Sequence, residues 1–168
     1  GSANFNEVFF NDVRIPDSQR LGAEGDGWKV ALTTLMNERL AVGDPPGLDF
    51  DQIFEATKEI EVEDGLAIKN SEVRQKMADW YVQSRGLQYT KYRSMTALSK
   101  GQTPGPELSI SKLVTASKMQ EVSSYALDLM DMAGYVHHDK NPVMRNLFQN
   151  GYFFSAAMRI AGGTDEVL

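Results

Sequence analysis

Residues 107–132 read ELSISKLVTASKMQEVSSYALDLMDM, and this stretch decides the fold. A helical projection spreads its apolar side chains over several sides of the helix instead of one stripe. They are Ile110, Leu113, Val114, Val122, Leu127 and Leu129. A helix that is apolar on several sides is covered by neighbours on several sides. The stretch therefore predicts a central helix that runs from about Glu107 to Met132.

Further helices are predicted on both sides of this central one. The loop KGQTPGPE precedes it and places Pro106 where a first helical turn tolerates proline. Before that loop, a long helix is predicted from Ser71, because its apolar residues keep a three- and four-residue spacing. They are Val73, Met77, Trp80, Tyr81, Leu87, Met95 and Leu98. After the loop AGYVHHDKNP, a last helix is predicted from Val143 to Ile160.

Two more helices are predicted nearer the N-terminus. One begins after Asp26, a plausible N-cap, and carries an apolar stripe as far as Val42. Another runs from about Leu48 to Glu61, and the acidic stretch EIEVEDGLAIKN then connects it to the helix at Ser71. Long helices with short connections predict an all-α fold, namely an antiparallel four-helix bundle.

The first segment, NFNEVFFNDVRIPDSQRLG, differs from the rest. Val8, Phe9 and Phe10 are residues typical of strands, and Pro16 ends the run. One or two strands do not form a stable sheet alone. We therefore expect residues 1–22 to be a short β segment at the end of another, β-rich domain, and residues 23–168 to be the helical domain. We expect further chain upstream.

Composition narrows the class of protein. The 168 residues are 42% hydrophobic and 24% charged, which is ordinary for one soluble globular domain. The chain has no cysteine, which excludes disulfides and thiolate catalysis and is typical of a cytoplasmic protein. The net charge is −6 without a basic patch, so nucleic acid is not an expected partner. No membrane span and no signal peptide are predicted.

Three short motifs carry little chemistry by themselves. His137 and His138 fall in a predicted loop, and no Glu-x-x-His pair accompanies them, so no metal site is expected. GDG at 25–27 and AGG at 161–163 do not continue into a phosphate-binding pattern. They are typical of a turn before a helix and of a helix C-cap.

Glu38 is the stronger candidate. On a helical projection it lies about 80° from the centre of the apolar stripe, on a flank of small side chains. These are Ala31, Thr34 and Ala41. A carboxylate beside small side chains can face a cavity, where desolvation raises its pKa and makes it a base near neutral pH. The alternative is a solvated surface acid, and periodicity alone favours that alternative.

The chain ends on MRIAGGTDEVL. The last predicted helix stops at two glycines, Gly162 and Gly163, and two acids follow. Asp165 and Glu166 suit the first turn of another helix, because acids are favourable near a helix N-terminus. We expect that helix to continue beyond Leu168.

Four segments together resemble the acyl-CoA dehydrogenase family. They are VFFNDVRIP, GAEGDGWKVALTTLMNERLAVG, PGPELSISKL and IAGGTDEVL, in the order and spacing of that family. The resemblance covers nearly the whole chain and corresponds to the end of the family's middle β-domain followed by its C-terminal helical domain. It implies an FAD-dependent enzyme that oxidises an acyl-CoA thioester to the 2,3-enoyl-CoA. It also implies an electron-transfer flavoprotein or a similar acceptor as a partner, and a homo- or hetero-oligomer, either a dimer or a tetramer.

The resemblance also assigns residues. Many members carry the catalytic base in a segment similar to IYEGT, where this chain has Gly162 in place of the glutamate. Other members carry the base in a segment similar to ERL on the first helix, which matches Glu38 here. The resemblance thus implies Glu38 as the base, the backbone N–H of Gly162 as a donor to the thioester carbonyl, and Gly163 and Thr164 as contacts of FAD.

Two segments depart from the family pattern. Where the family often has R-x-F-G, whose arginine reaches the FAD pyrophosphate of the adjoining subunit, this chain has the acidic EVEDGLA. Where the family often has Q-x-x-G-G-x-G, this chain reads DLMDMAG and keeps only Gly134. These departures favour a second hypothesis, a non-catalytic partner or scaffold subunit in a flavin-binding acyl-CoA dehydrogenase complex.

Overall fold

The structure is a computed structural model that describes residues 6–42, 48–102, 105–136 and 143–167. The side chains of residues 36–42, 108 and 143–145 are outside that description. The chain forms two compact units, Gly1–Met36 and Asn37–Leu168. The larger unit contains almost all of the helical core.

The described part of the first unit begins without a strand. A 3₁₀ turn at Asp17–Gln19 precedes helix α1, Gly27–Val42, which starts within one residue of the predicted position. The predicted N-terminal β segment is not formed at residues 6–16, because a strand needs a partner for its backbone hydrogen bonds. The large apolar side chains of this segment are exposed, and so are the three large ones of the apolar stripe in the described part of α1. They are Val8, Phe9, Phe10, Val13, Ile15, Trp28, Leu32 and Leu35.

The second unit includes the last residues of α1, and a short helix and a small hairpin follow them. Helix α2, Phe50–Thr57, is shorter than predicted, and a capping box between Asp49 and Gln52 fixes its start. The predicted acidic connection contains two antiparallel strands, β1 at Glu61–Val62 and β2 at Gly65–Leu66. A 3₁₀ turn at Ala67–Lys69 then leads into the longest helix.

Three long or central elements follow. Helix α3 is Ser71–Ser99, helix α4 is Glu107–Leu129, and helix α6 is Val143–Ile160, with the predicted bounds of α6 confirmed. The predicted central helix ends three residues early, because Asp131 adopts a positive φ of 51°. A separate short helix, α5 at Met132–Tyr135, follows that turn.

The helices of the second unit pack as the predicted antiparallel bundle. Along α4, Lys112 contacts Gly163 near the end of α6, whereas Gly151, midway along α6, approaches Ser123 further along α4. Pairs between α3 and α4 likewise run in opposite directions, from Lys76–Glu121 to Ser84–Lys118. The prediction that α4 is central is confirmed, since it packs against α2, α3, α5 and α6.

The core lies between α2, α3, α4 and α6. Its large, fully buried apolar side chains are Ile53, Trp80, Met119, Val122 and Phe148. Gly151 allows the close approach of α6 to this core, because a Cβ there would lie 2.6 Å from Ser123 Oγ and would also clash with Leu48. The bundle therefore holds the end of α6 at a fixed position beside α4.

Candidate active site

The C-terminal turn after α6 exposes a backbone donor. Gly162 and Gly163 have φ angles of 71° and 118°, values that L side chains rarely adopt. The N–H of Ala161 donates to Ala157 O, and the N–H of Gly163 donates to Ile160 O. Within the described residues the N–H of Gly162 has no acceptor, and Gly162 is exposed. This N–H is therefore available to a ligand.

A lysine of α4, Lys112, fixes this turn through hydrogen bonds to its backbone carbonyls. The Lys112 ammonium donates to the carbonyl oxygen of Arg159 at 3.1 Å and also to that of Gly163. These carbonyls lie on either side of Gly162. The side chain of Lys112 is partly buried, and its positive charge faces the negative end of the α6 dipole.

An arginine of α6 holds the residues after the turn. Arg159 Nε donates to Asp165 Oδ2 at 2.6 Å, and Arg159 Nη1 donates to Gln120 Oε1 at 2.7 Å. Asp165, predicted as a helix-start acid, is instead one half of an ion pair with its side chain 18% exposed. Its Oδ1 atom is buried and has no hydrogen-bond partner in the part of the chain that the structure describes.

The predicted FAD contacts lie in the same turn. Gly163 and Thr164 are both partly buried, and the carbonyl of Thr164 accepts a hydrogen bond from the N–H of Val167 at 3.1 Å. Because the turn is held through Arg159 and Lys112, these two residues and Gly162 occupy one defined segment. Three of the four predicted site residues are thus adjacent.

Glu38, the fourth, lies on α1. Its side chain is outside the described residues, so its prediction as the base stays a prediction. His137 and His138 are also outside them. In the described ranges no group of three or more His, Cys, Asp or Glu residues is arranged to hold a metal ion.

Of the two segments that depart from the family pattern, one is acidic and exposed, and the other keeps a glycine that packs against Leu127. The β1–β2 hairpin exposes Glu61 on its first strand and Glu63 and Asp64 in its turn, and carboxylates repel a pyrophosphate. Gly134 is buried, and a Cβ there would lie 3.0 Å from Leu127 Cα and closer still to its carbonyl oxygen. Packing therefore explains this glycine. By contrast, the N–H of Gly162 and the adjacent turn fit a ligand that accepts backbone hydrogen bonds.

A buried lysine in α4 forms a second polar cluster, which no pattern in the sequence predicts. The Lys118 side chain is 3% exposed, and its ammonium donates to Asp49 Oδ1 at 2.6 Å and to Ser84 Oγ at 2.7 Å. Burial alone would raise the pKa of Asp49, but hydrogen bonds from Lys118, Ser84 and the Phe50 N–H together lower that pKa. Since its donors and acceptors pair with each other, this cluster joins α2, α3 and α4.

A cleft of about 340 Å³ opens beside this cluster. Its walls come from the start of α2 and from facing sides of α3 and α4, and they include Tyr81, Gln88, Tyr92, Ser111 and Thr115. It lies on the α3 side of α4, whereas the C-terminal turn contacts α4 through Lys112 and Gln120. Among the described residues that line it, Gly162, Gly163 and Thr164 do not occur.

The residues that hold the turn were missed from the sequence. Lys112 and Gly163 are 51 positions apart, and Arg159 and Gln120 are 39 apart. A weak signal did exist, because Lys112 interrupts the apolar sides of a helix predicted to be central.

No helix in the described ranges has the length and apolar character that crossing a bilayer requires.

A family model and individual relatives both match the chain to acyl-CoA dehydrogenases. A family model described as the acyl-CoA dehydrogenase C-terminal domain matches residues 25–168. The chain is 26% identical over 170 residues to acyl-CoA dehydrogenase FadE34 of Mycobacterium tuberculosis, covering 100% of this chain. It is 30% identical over 171 residues to acyl-CoA dehydrogenase IpdE1 of Mycolicibacterium smegmatis, covering 99% of this chain.

A solved structure shares the fold. Butyryl-CoA dehydrogenase from Megasphaera elsdenii superposes with a TM-score of 0.72 over 94% of this chain, at 22% identity. The chain spans only part of each relative: 22% of FadE34, 40% of IpdE1 and 40% of the butyryl-CoA dehydrogenase chain.

Proposed function

The chain belongs to the acyl-CoA dehydrogenase family of flavoprotein oxidoreductases, and we propose that it is the C-terminal helical domain of a longer, FAD-dependent member. The proposed reaction oxidises an acyl-CoA thioester to the 2,3-enoyl-CoA. The chain covers only 22% of FadE34 and 40% of IpdE1, which supports the proposal that it is part of a longer polypeptide. The observation that carries the reaction is the N–H of the exposed residue Gly162, which has no acceptor among the described residues and lies in a turn that α4 contacts through Lys112.

In this proposal Glu38 removes the α-proton of the thioester. That proton is not acidic enough for a free carboxylate, so the negative charge that develops on the thioester oxygen must be stabilised. The N–H of Gly162 donates to that oxygen, a role that needs no side chain. FAD held beside Gly163 and Thr164 would supply the acceptor for the hydride that leaves the β-carbon. Exclusion of water from the site strengthens the hydrogen bond that the Gly162 N–H donates.

Gly163 and Thr164 are the proposed FAD contacts of this chain. Both belong to the turn that Lys112 and Arg159 hold, so their backbone groups are pre-organised for a ligand. The acidic hairpin and Gly134 are not proposed as contacts. We propose that the electrons pass on to an electron-transfer flavoprotein or a similar acceptor.

The test is a flavin reduction experiment on the full-length protein. Anaerobic addition of saturated acyl-CoAs of several chain lengths should bleach the flavin absorbance band of the purified protein. The matching 2,3-enoyl-CoA should appear in an amount equal to the flavin reduced. A flavin that stays oxidised with every acyl-CoA would refute the reaction.

The second candidate is a non-catalytic subunit that completes the site of a flavin-binding relative. The acidic hairpin at Glu61, Glu63 and Asp64, and the packing role of Gly134, favour it. The full-length protein expressed alone discriminates between the two. Yellow, active protein supports the enzyme, whereas colourless protein that gains activity only when it is co-expressed with a neighbouring-gene acyl-CoA dehydrogenase supports the partner subunit.

A further inference from the structure

Lys112 links helix α4 to the turn that carries the Gly162 N–H. Its ammonium reaches two carbonyls, that of Arg159 in the last turn of α6 and that of Gly163 beyond it. We propose that Lys112 is a positioning residue for thioester activation, a role that rests on the proposed function of the Gly162 N–H.

The turn needs contacts from other elements, because its own backbone forms few hydrogen bonds that would fix its conformation. Both Gly162 and Gly163 have positive φ angles, and glycine in the unfolded or loosened chain samples many alternatives. Within the turn, one hydrogen bond of 3.3 Å joins Gly163 N–H to Ile160 O. An ammonium has three donors, so Lys112 can bind both flanking carbonyls at once. Those two bonds fix the segment on either side of the Gly162 N–H.

A second contact resists rotation of the same segment. The Arg159 side chain binds Gln120 of α4 and Asp165 after the turn. The residues before and after Gly162 are therefore both tied to α4, through Lys112 directly and through Arg159. Since α4 packs against α2, α3, α5 and α6, these bonds connect the turn to the packed core of the bundle.

The predicted consequence follows from how oxyanion stabilisation works. A preorganised donor lowers the barrier because it already lies where charge develops, and a displacement of about 1 Å costs about 10²-fold in rate. A thioester in the ground state carries less charge on its oxygen, so it gains less from the same donor. Loosening the turn should therefore lower kcat much more than it raises KM.

The experiment compares three variants of the full-length protein. Lys112→Met removes the ammonium while keeping most of the side-chain volume, and Lys112→Arg restores a charged, multiple donor. Lys76→Met is the matched control, because Lys76 bonds to Glu121 across α3 and α4 and not to the turn. The readouts are kcat and KM with an acyl-CoA that the wild type oxidises, and amide hydrogen exchange of the peptide containing residues 160–167.

We expect Lys112→Met to lower kcat by about 10–100-fold, with KM changed by less than about threefold. We also expect faster amide exchange in residues 160–167, partial recovery of both in Lys112→Arg, and wild-type kcat in Lys76→Met. Wild-type kcat or unchanged exchange in Lys112→Met overturns the role of Lys112. Equal losses in Lys112→Met and Lys76→Met also overturn it, because they indicate a general loss of stability. A wild type that oxidises no acyl-CoA instead overturns the proposed function, and the positioning role with it.

Discussion

Gly151 is the residue at which α6 comes close to its neighbours. A Cβ there would meet Leu48, which is 3% exposed, and Ser123, which is fully buried. We predict that Gly151→Ala destabilises the protein by about 1–3 kcal/mol, because a packed core has no room for the extra methyl group. Urea unfolding followed by circular dichroism measures the change.

Gly86 supplies the control for that substitution. It lies in the middle of α3, is exposed, and has no atom within 4 Å of an added Cβ. Gly86→Ala should therefore stabilise the protein by about 0.5–1 kcal/mol through helix propensity alone. If both variants shift stability in the same direction, the close approach at Gly151 is refuted.

The charge of Asp49 makes the stability of the bundle depend on pH. Because hydrogen bonds from Lys118 and Ser84 lower its folded pKa below the ordinary value of 3.8, ionised Asp49 stabilises the folded state above that pH. This contribution disappears as the pH falls through the folded pKa. Asp49→Asn keeps a good N-cap for α2 but removes the charge.

We predict that Asp49→Asn is less stable than the wild type by about 0.5–1 kcal/mol at pH 7, because Asp49 is 59% exposed and water screens the pair. The difference should shrink as the pH falls below 3.8. Unfolding curves between pH 7 and pH 2.5 measure it. Asp79→Asn, an exposed position of α3 with the same charge change, is the control. A difference that stays constant over this pH range would contradict the assignment.

Among the helices, α3 depends on a side-chain cap at its start. Asn70 accepts hydrogen bonds from the N–H groups of Glu72 at 2.9 Å and Val73 at 3.3 Å. We predict that Asn70→Ala costs about 1 kcal/mol, since these N–H groups lose their acceptor. The matched substitution Asn150→Ala, at an exposed position of α6, should instead be neutral or slightly stabilising. Thermal melting of both variants tests this, and equal effects would argue against the cap.

Helix bounds were predictable where the sequence carries a local signal. The last helix was predicted correctly, because apolar periodicity runs up to two glycines that stop it. The central helix was predicted too long, because no glycine or proline marks its end, and the turn depends on Asp131 at positive φ. The short N-terminal β segment was predicted from strand-type residues. A strand also needs a neighbouring strand to pair with, and the residue types of one segment do not show whether that neighbour is present.

The site was predictable only as far as the chain's local pattern and the family resemblance reach. The resemblance implies Gly162, Gly163 and Thr164 as site residues, and in the structure they lie in one turn. The hold that Lys112 and Arg159 exert on that turn was not identified, because it joins residues 39 to 51 positions apart. The ion pair between buried Lys118 and exposed Asp49 was not identified either, because its partners are 69 positions apart.

At the scale of the whole molecule, the proposed function requires more protein than this chain. Many large apolar side chains are exposed, among them Phe9, Trp28 and Phe153 at 74–77%. A surface of this kind is typical of a protein that packs against further domains or subunits. We predict that the isolated chain has no flavin absorbance band and does not oxidise acyl-CoA in a dye-linked assay. A yellow, active chain would contradict this prediction.

The most direct test of the central claim is exchange of the substrate α-proton. The full-length protein, incubated with an acyl-CoA in D₂O, should incorporate deuterium at the α-carbon, and Glu38→Gln should slow this incorporation by about 10²–10⁴-fold. Glu24→Gln, at an exposed position before α1, makes the same chemical change and should leave the rate unaltered. Mass spectrometry of the recovered acyl-CoA gives the rate, and exchange that survives in Glu38→Gln would show that Glu38 is not the base.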